Sequence, residues 1–367
     1  MANYITTFFL FLTISGMTWA QEAPLKLGVA GLTHTHVHWI LGREDRGDID
    51  LVGIVEPNRE LALRYSRQHG FPMSMVYGSL EEMIAATSPE AVAAFGTIYD
   101  HLGVVAVCAP RGIHVMVEKP LAVSLDHAKQ MKTLAKKHQI HLLTNYETSW
   151  YPTNVKAREL LKEGRIGKLR KVVIRDGHKG PKRIGINREF LDWLTDPLLN
   201  GGGAIMDFGC YGANLMTWLQ DGQKPLSVTA VTQQLQPENN PEVDDDATLI
   251  LTYGNSNATI QASWNWPIGI KDMAIYGEDG VVYADNQNTL RIRLSEGYDH
   301  FQETSFELTK REAPYDDPFS VLAAIVRNKL ALHPYDPYSL ENNMIVMEIL
   351  EAARESADTK RTILVPQ

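Results

Sequence analysis

The chain has 367 residues, 44% of them hydrophobic, and a formal net charge of −9, which is enough for two domains and a substantial buried core. No basic block offsets that charge, so a nucleic-acid partner, which needs clustered Lys and Arg, is excluded. A small-molecule ligand is expected instead.

The first twenty residues, MANYITTFFLFLTISGMTWA, hold an apolar stretch from Ile5 to Met17, then Thr18 and Ala20 at the −3 and −1 positions of a cleavage site before Gln21. Residues 1–20 read as a secretory signal. The apolar run is shorter than the roughly 20 residues that span a bilayer, so an exported protein without a stable membrane anchor is expected, in keeping with a bacterial periplasm. Cys108 and Cys210 are the two cysteines. They fall in different predicted domains, so no disulfide is expected to join them.

From residue 25 short β-type runs alternate with helical periods. LKLGVAG precedes a helical stretch near 34–46, LVGIVEP (51–57) precedes NRELALRYSRQHG, and AVAAFGT (91–97) precedes HLGVVAVCAPRG. IHVMVEKP (113–120) leads into SLDHAKQMKTLAKKHQ, and IHLLTNYE closes the series. Continuously apolar strands separated by helices predict a parallel, doubly wound α/β sheet over 25–147. After residue 148 the rhythm changes. A helix near 153–164, the strand KVVIRDG and a helix opening at GGGAIMDFG are followed by LSVTAVTQQL, DATLILTY and NATIQASW. A hairpin around Glu278-Asp279-Gly280 and a last helix over 338–357 complete it. Residues 148–367 thus read as an α+β domain with a large, mostly antiparallel open sheet.

GLTHTHVHW (31–39) occupies the first strand-to-helix turn, where a dinucleotide site has G-x-G-x-x-G and the backbone N–H groups meet a pyrophosphate. Gly31, Thr33 and His36 stand at the three glycine positions, so one glycine is kept. Thr33 offers a hydroxyl to phosphate, and His34 or His36 an N–H; the alternative, that these histidines cap and pack the first helix, stays open. On a helix His34 and His38 would share a face at i, i+4. Without H-E-x-x-H or a cysteine pair nearby, no metal is expected. Glu56, ending the second strand, would accept from an adenosine ribose and repel a 2′-phosphate, which favours NAD over NADP.

VEKPLA (117–122), GGGAIMDFGCY (201–211) and DDPFSVLAAIVRNK (316–329) together resemble the glucose–fructose oxidoreductase, inositol dehydrogenase and rhizopine-catabolism (Gfo/Idh/MocA) family, from residue 25 to about 365. The resemblance implies a Rossmann domain holding NAD or NADP and a C-terminal domain supplying the sugar site and the contacts of a homodimer or homotetramer. Glu118-Lys119-Pro120 looks like the family's E-K-P turn, with Lys119 reaching the nicotinamide ribose and the reacting hydroxyl. Asp207 looks like its substrate-binding aspartate, Tyr211 is similar to the tyrosine of one branch, and Asn214 stands where Asp or Asn is usual. His101 falls in the loop flanking the nicotinamide, and Asn58 and Thr97 complete the expected cofactor-lining set. Asp207, Tyr211 and Asn214 at i, i+4, i+7 would share one helix face. A nearby Lys119 would lower the Tyr211 pKa and make it a base. His178, Tyr146 and Trp150 are further candidates for contact with a sugar ring; Tyr151 could stack there too, or pack the domain junction. The expected activity is oxidation of a CH–OH group in a sugar, glycoside or polyol with NAD kept bound. Its rivals are a redox-neutral NAD-dependent glycosidase or lyase and a non-catalytic sugar-binding module.

Overall fold

The computed structural model describes residues 23–367; the expected secretory signal lies outside the described residues. Six parallel strands, β1 (Leu25–Ala30), β2 (Ile49–Val55), β3 (Val76–Tyr77), β4 (Ala91–Ala94), β5 (His114–Glu118) and β6 (Leu142–Asn145), form one sheet in the order β3-β2-β1-β4-β5-β6. The order reverses between β1 and β4, and a doubly wound sheet binds its ligands at the carboxyl ends of the strands flanking that point. Leu25, Leu27 and Val29 of β1 are buried on one face, and Val92 and Ala94 of β4 join the core on the other. The sheet is therefore covered on both sides, as its apolar strands require.

The second sheet has nine strands: β7 (Leu169–Gly177), β8 (Ser227–Gln233), β9 (Asp246–Thr252), β10 (Asn257–Ser263), β11 (Ile270–Gly277), β12 (Gly280–Ala284), β13 (Thr289–Ser295), β14 (Phe301–Glu307) and β15 (Ile363–Leu364). Its pairs are antiparallel except β10 with β7. Helices Pro152–Lys162, Gly209–Leu219 and Leu340–Thr359 pack on one face. Alternation along β9 buries Ala247, Leu249 and Leu251 against them and turns Thr248, Ile250 and Thr252 outward. The outward face also exposes Val231 on β8.

Two local readings differ from the sequence. The first helix is confined to Val37–Leu41, because the chain is still turning through His34–His36 and Gly42 ends it. The helix Pro318–Val326 does not stay with the second sheet. Its Phe319, Val321 and Leu322 enter the core built on β1 and β2, and its N-cap Asp317 accepts from Phe319 N–H and Ser320 N–H while pairing with Arg43 at 2.9 Å. Cys108 and Cys210 are both buried free thiols. No helix among the described residues is long and apolar enough to cross a membrane.

Candidate active site

A cleft of about 490 Å³ opens where the carboxyl edge of the first sheet faces the second, a size suited to a small ligand. His34, His36 and Lys119 line it from the first sheet, and His178, Asp207, Tyr211 and Lys271 from the second. Asp207 is placed by glycine. A side chain at Gly203 would strike the Asp244 carbonyl oxygen, 1.7 Å from where its Cβ would sit. That contact lets the short helix Ala204–Asp207 dock beside β9 before the chain breaks at Phe208 and restarts as Gly209–Leu219.

Lys119 follows β5, and its bond to Pro120 is cis. Its ammonium donates to the Asp207 carboxylate Oδ1 and, at 3.0 Å, to the Asp207 carbonyl oxygen. The other carboxylate oxygen accepts from the Trp264 indole at 2.9 Å. Burial disfavours both charges, but their mutual attraction prevails: the Lys119 pKa is raised and that of Asp207 lowered. Tyr211 lies beneath this pair, with the Lys119 nitrogen 5.0 Å and the Lys271 nitrogen 4.7 Å from its ring centre. Burial, and then the carboxylates of Glu147 and Asp176, push the Tyr211 pKa well above its ordinary value. The expected lowering by Lys119 is thereby overturned. Asp207 holds that lysine, and the resting phenol is neutral.

Three groups escaped the sequence reading. Lys271 pairs with Glu147, which also accepts from the Tyr151 hydroxyl. Asp176 is buried beside them with one carboxylate oxygen unpartnered, and burial raises its pKa well above the carboxylate range. The available signal was parity. Asp176 is in phase with buried Val172 and Ile174, and Lys271 with Met273 and Ile275, so each puts a charged residue on a core-facing strand position.

Other expected positions serve elsewhere. Asn214 is buried one turn beyond Tyr211 on the helix Gly209–Leu219, where its amide donates to the Pro337 carbonyl at 2.6 Å instead of reaching the cleft. Tyr146 is buried behind Tyr211, ring edge to ring at 5.4 Å. Trp150 donates to Asn145 and stacks on Tyr338, away from the cleft. His101 is fully buried. Its Nδ1 donates to the Leu121 carbonyl, its Nε2 has no partner, and burial pulls its pKa down to about 4. Asn58 caps the helix Arg59–His69, and Thr97 is engaged with Asp100. His178 does line the cleft; its Nδ1 accepts from Gly180 N–H.

The β1 turn retains what a dinucleotide needs at two points. Gly31 has φ +87°, and its Cβ would come within 2.7 Å of the Gly96 backbone, a place only glycine fills. Glu56 accepts from Leu32 N–H and Asn58 N–H, one on each carboxylate oxygen, which orients it and leaves further lone pairs for a ribose diol. Across the outside of this turn runs the segment following β7. Trp193 donates to the Thr33 hydroxyl at 3.1 Å, Phe190 packs on the His34 ring at 4.5 Å, Glu189 binds Arg64 and Tyr65, and the Leu199 carbonyl accepts from Tyr99 N–H.

Sheet order, the acidic end of β2 and a cleft at the carboxyl edge with a few converging charged side chains define a dinucleotide-binding α/β enzyme. Residues 25–146 match the model for the oxidoreductase family with an NAD-binding Rossmann fold, and residues 154–283 match the GFO/IDH/MocA C-terminal domain. The chain belongs to the Gfo/Idh/MocA family and is an NAD-binding oxidoreductase. It is 26% identical over 276 residues, 74% of each chain, to trans-1,2-dihydrobenzene-1,2-diol dehydrogenase of Xenopus tropicalis. In fold it is similar to aldose-aldose oxidoreductase from Caulobacter crescentus, crystallised with glycerol (TM-score 0.76, 22% identity, 93% of this chain and 100% of that one). It is likewise similar to the WlbA dehydrogenase from Bordetella pertussis, crystallised with NADH and UDP-GlcNAcA (TM-score 0.75, 20% identity, 94% and 99%).

Proposed function

We propose that the protein interconverts a CH–OH group and a carbonyl in a sugar, glycoside or polyol, acts after export, and keeps its NAD bound throughout the cycle. The observation that carries this reading is the buried Lys119–Asp207 pair beside the Tyr211 ring in a cleft of small-ligand size. The aldose and nucleotide-sugar names of the structural relatives support the substrate class, and the apolar first twenty residues support export. Gly31 and Glu56 are the residues suited to hold the dinucleotide, which when bound supplies the hydride acceptor for oxidation and, in its reduced form, the donor for reduction.

The protein's own groups handle the oxygen and its proton. Asp207 fixes Lys119 through two contacts, leaving the third ammonium hydrogen for a substrate oxygen. Tyr211, as a neutral phenol, donates to the same region, and His178 contacts the far side of the ligand. A site that rests with both Lys119 and Tyr211 protonated is set to protonate a forming alkoxide, the reductive direction. Val231 and Ile250, exposed among the polar Thr229, Thr248 and Thr252, give the open sheet face the apolar points about which two copies of the chain pair.

The segment over the β1 turn favours a second reading beside net oxidation: a redox-neutral elimination through a transient ketone, in which a covered cofactor need never leave. Purification without added nucleotide followed by a panel of free sugars and glycosides tests both. Appearance of the reduced-nicotinamide band with a keto-sugar product supports the dehydrogenase, and release of an aglycone without net reduction supports the elimination. A protein with no bound nucleotide and no spectral response to any sugar overturns the proposal.

A further inference from the structure

The turn after β1 and the end of β5 converge in a way that neither stretch alone discloses. One ring nitrogen of His34, one of His36 and one carboxylate oxygen of Glu118 lie within 4.8 Å of one another. His34 and Glu118 are buried, and both histidines line the cleft. Glu118 is held from behind; His34 packs on Phe190, and its Nδ1 accepts from the His36 N–H at 3.1 Å, a bond that an ion on that nitrogen has to displace. The His36 ring sits 2.9 Å from a Glu118 oxygen and stacks on Trp39 at 3.9 Å. Glu118 accepts from the Asn145 amide at 2.7 Å, and Asn145 in turn accepts from the Trp150 indole at 3.0 Å. Such outer partners are what orient the ligands of a metal site.

We propose that His34, His36 and Glu118 bind one divalent transition-metal ion, zinc foremost, with its remaining positions open to the cleft. Two imidazoles and one carboxylate make a donor set that suits zinc and its neighbours; calcium and magnesium prefer oxygen alone. Ligand atoms on a tetrahedral zinc, with bonds of about 2.0–2.2 Å, stand about 3.4 Å apart. The group must therefore contract, and His36, partly exposed on a turn, has room to do so. The His36–Glu118 hydrogen bond keeps the ligands gathered until the ion replaces it. Lys119 is close by, but its charge is matched by Asp207, and Glu118 brings a negative charge to the ion. Facing the same cleft as Lys119 and Tyr211, the ion would take two neighbouring oxygens of a ligand, as in a vicinal diol or a 2-hydroxy acid. The same three side chains stand among those expected to line the dinucleotide, so the ion contends with bound NAD for this part of the cleft, and the site is tested in protein freed of nucleotide.

The test uses the full chain without a histidine tag, freed of nucleotide, stripped with chelator, dialysed against zinc and then against buffer, with metal measured by elemental analysis. One zinc per chain is expected, and cobalt in its place should give a visible ligand-field spectrum. His36→Ala and Glu118→Gln, the latter preserving shape, should each weaken zinc binding by at least about 10-fold, with folding checked by circular dichroism. The control pair is His38 and His69, whose rings contact each other at 2.7 Å on the outside of the sheet; replacing them with alanine should leave the zinc in place. Substoichiometric zinc in folded wild-type protein overturns the proposal, as does zinc that survives both cleft variants or is lost with the His38–His69 pair.

Discussion

Tyr211 carries the sharpest residue-scale test. Lys119→Met would leave Asp207 as an unpaired buried charge, a change that costs about 3–5 kcal/mol in stability, so a loss of activity in that variant mixes chemistry with folding. Tyr211→Phe removes only a hydroxyl. Single-turnover measurement should show the proton-coupled step slowed by about 10²-fold or more with the melting temperature nearly unchanged. Because burial and the nearby Glu147 and Asp176 raise the Tyr211 pKa, the phenol yields its proton only in alkali. The wild-type oxidation rate should therefore keep climbing with pH to the alkaline end of the stable range, and Tyr211→Phe should lose that rise. His101 makes a separate prediction about stability. The unfolded chain protonates it near the ordinary value of about 6.5, whereas the folded chain does so only at about 4. Between those values the unfolded state binds more protons, so stability is full above pH 6.5 and declines as pH falls toward 4, by roughly 3 kcal/mol for this one group. Denaturant melts across that window should show the decline, and His101→Leu should make it shallower.

Among the elements, the segment between β7 and the helix Ala204–Asp207 has the most to reveal. It lines the cleft with Pro181, Ile184 and Phe190, and it fastens to the first domain through Trp193, Glu189 and Leu199. Trp193→Phe removes the indole donor to Thr33 while keeping an aromatic ring. Nucleotide retained through gel filtration should fall, and its release rate rise several-fold; unchanged retention would separate the segment from cofactor holding. None of this cover was legible in the sequence, whose reading passes from the strand KVVIRDG to the helix opening at GGGAIMDFG with no element between. Strands and their type were legible, because two-sided burial leaves runs such as AVAA and alternation leaves runs such as DATLILT. That Lys119, Asp207 and Tyr211 line one cleft followed from separated motifs of a family; the ion pair between Lys119 and Asp207 did not. The position of Asn214 did not, since the cleft ends at Tyr211 and the next turn of the helix packs against Pro337 and Asn343, a contact set by distant sequence. Nor did His36 with Glu118, which depends on β1 and β5 ending on either side of β4.

For the whole molecule, the proposed pairing of two copies rests on the outward face of the second sheet. Ile250 is 45% exposed in the middle of β9 and Val231 57% exposed on β8, on a broad sheet face where no helix packs. Replacing both with lysine should lower the molecular mass seen by light scattering to that of one chain. Because the cleft lies across the sheet from this face, activity per chain should persist in that form.

The return of Pro318–Val326 to the first sheet bears on the order in which the protein is made. Phe319 is fully buried in the core that β1 begins, and Arg43 waits for Asp317, 274 positions downstream. A ribosome has therefore released most of the polypeptide before the first sheet can close its core. Until then the nascent N-terminal part exposes the apolar surface that Phe319, Val321 and Leu322 will cover, a condition that invites aggregation and calls for a chaperone. Cut at the apparent boundary near residue 150, the dinucleotide domain would stay in that unfinished state, so in this chain the domain recognised by its strands and the unit able to fold are not the same stretch of sequence.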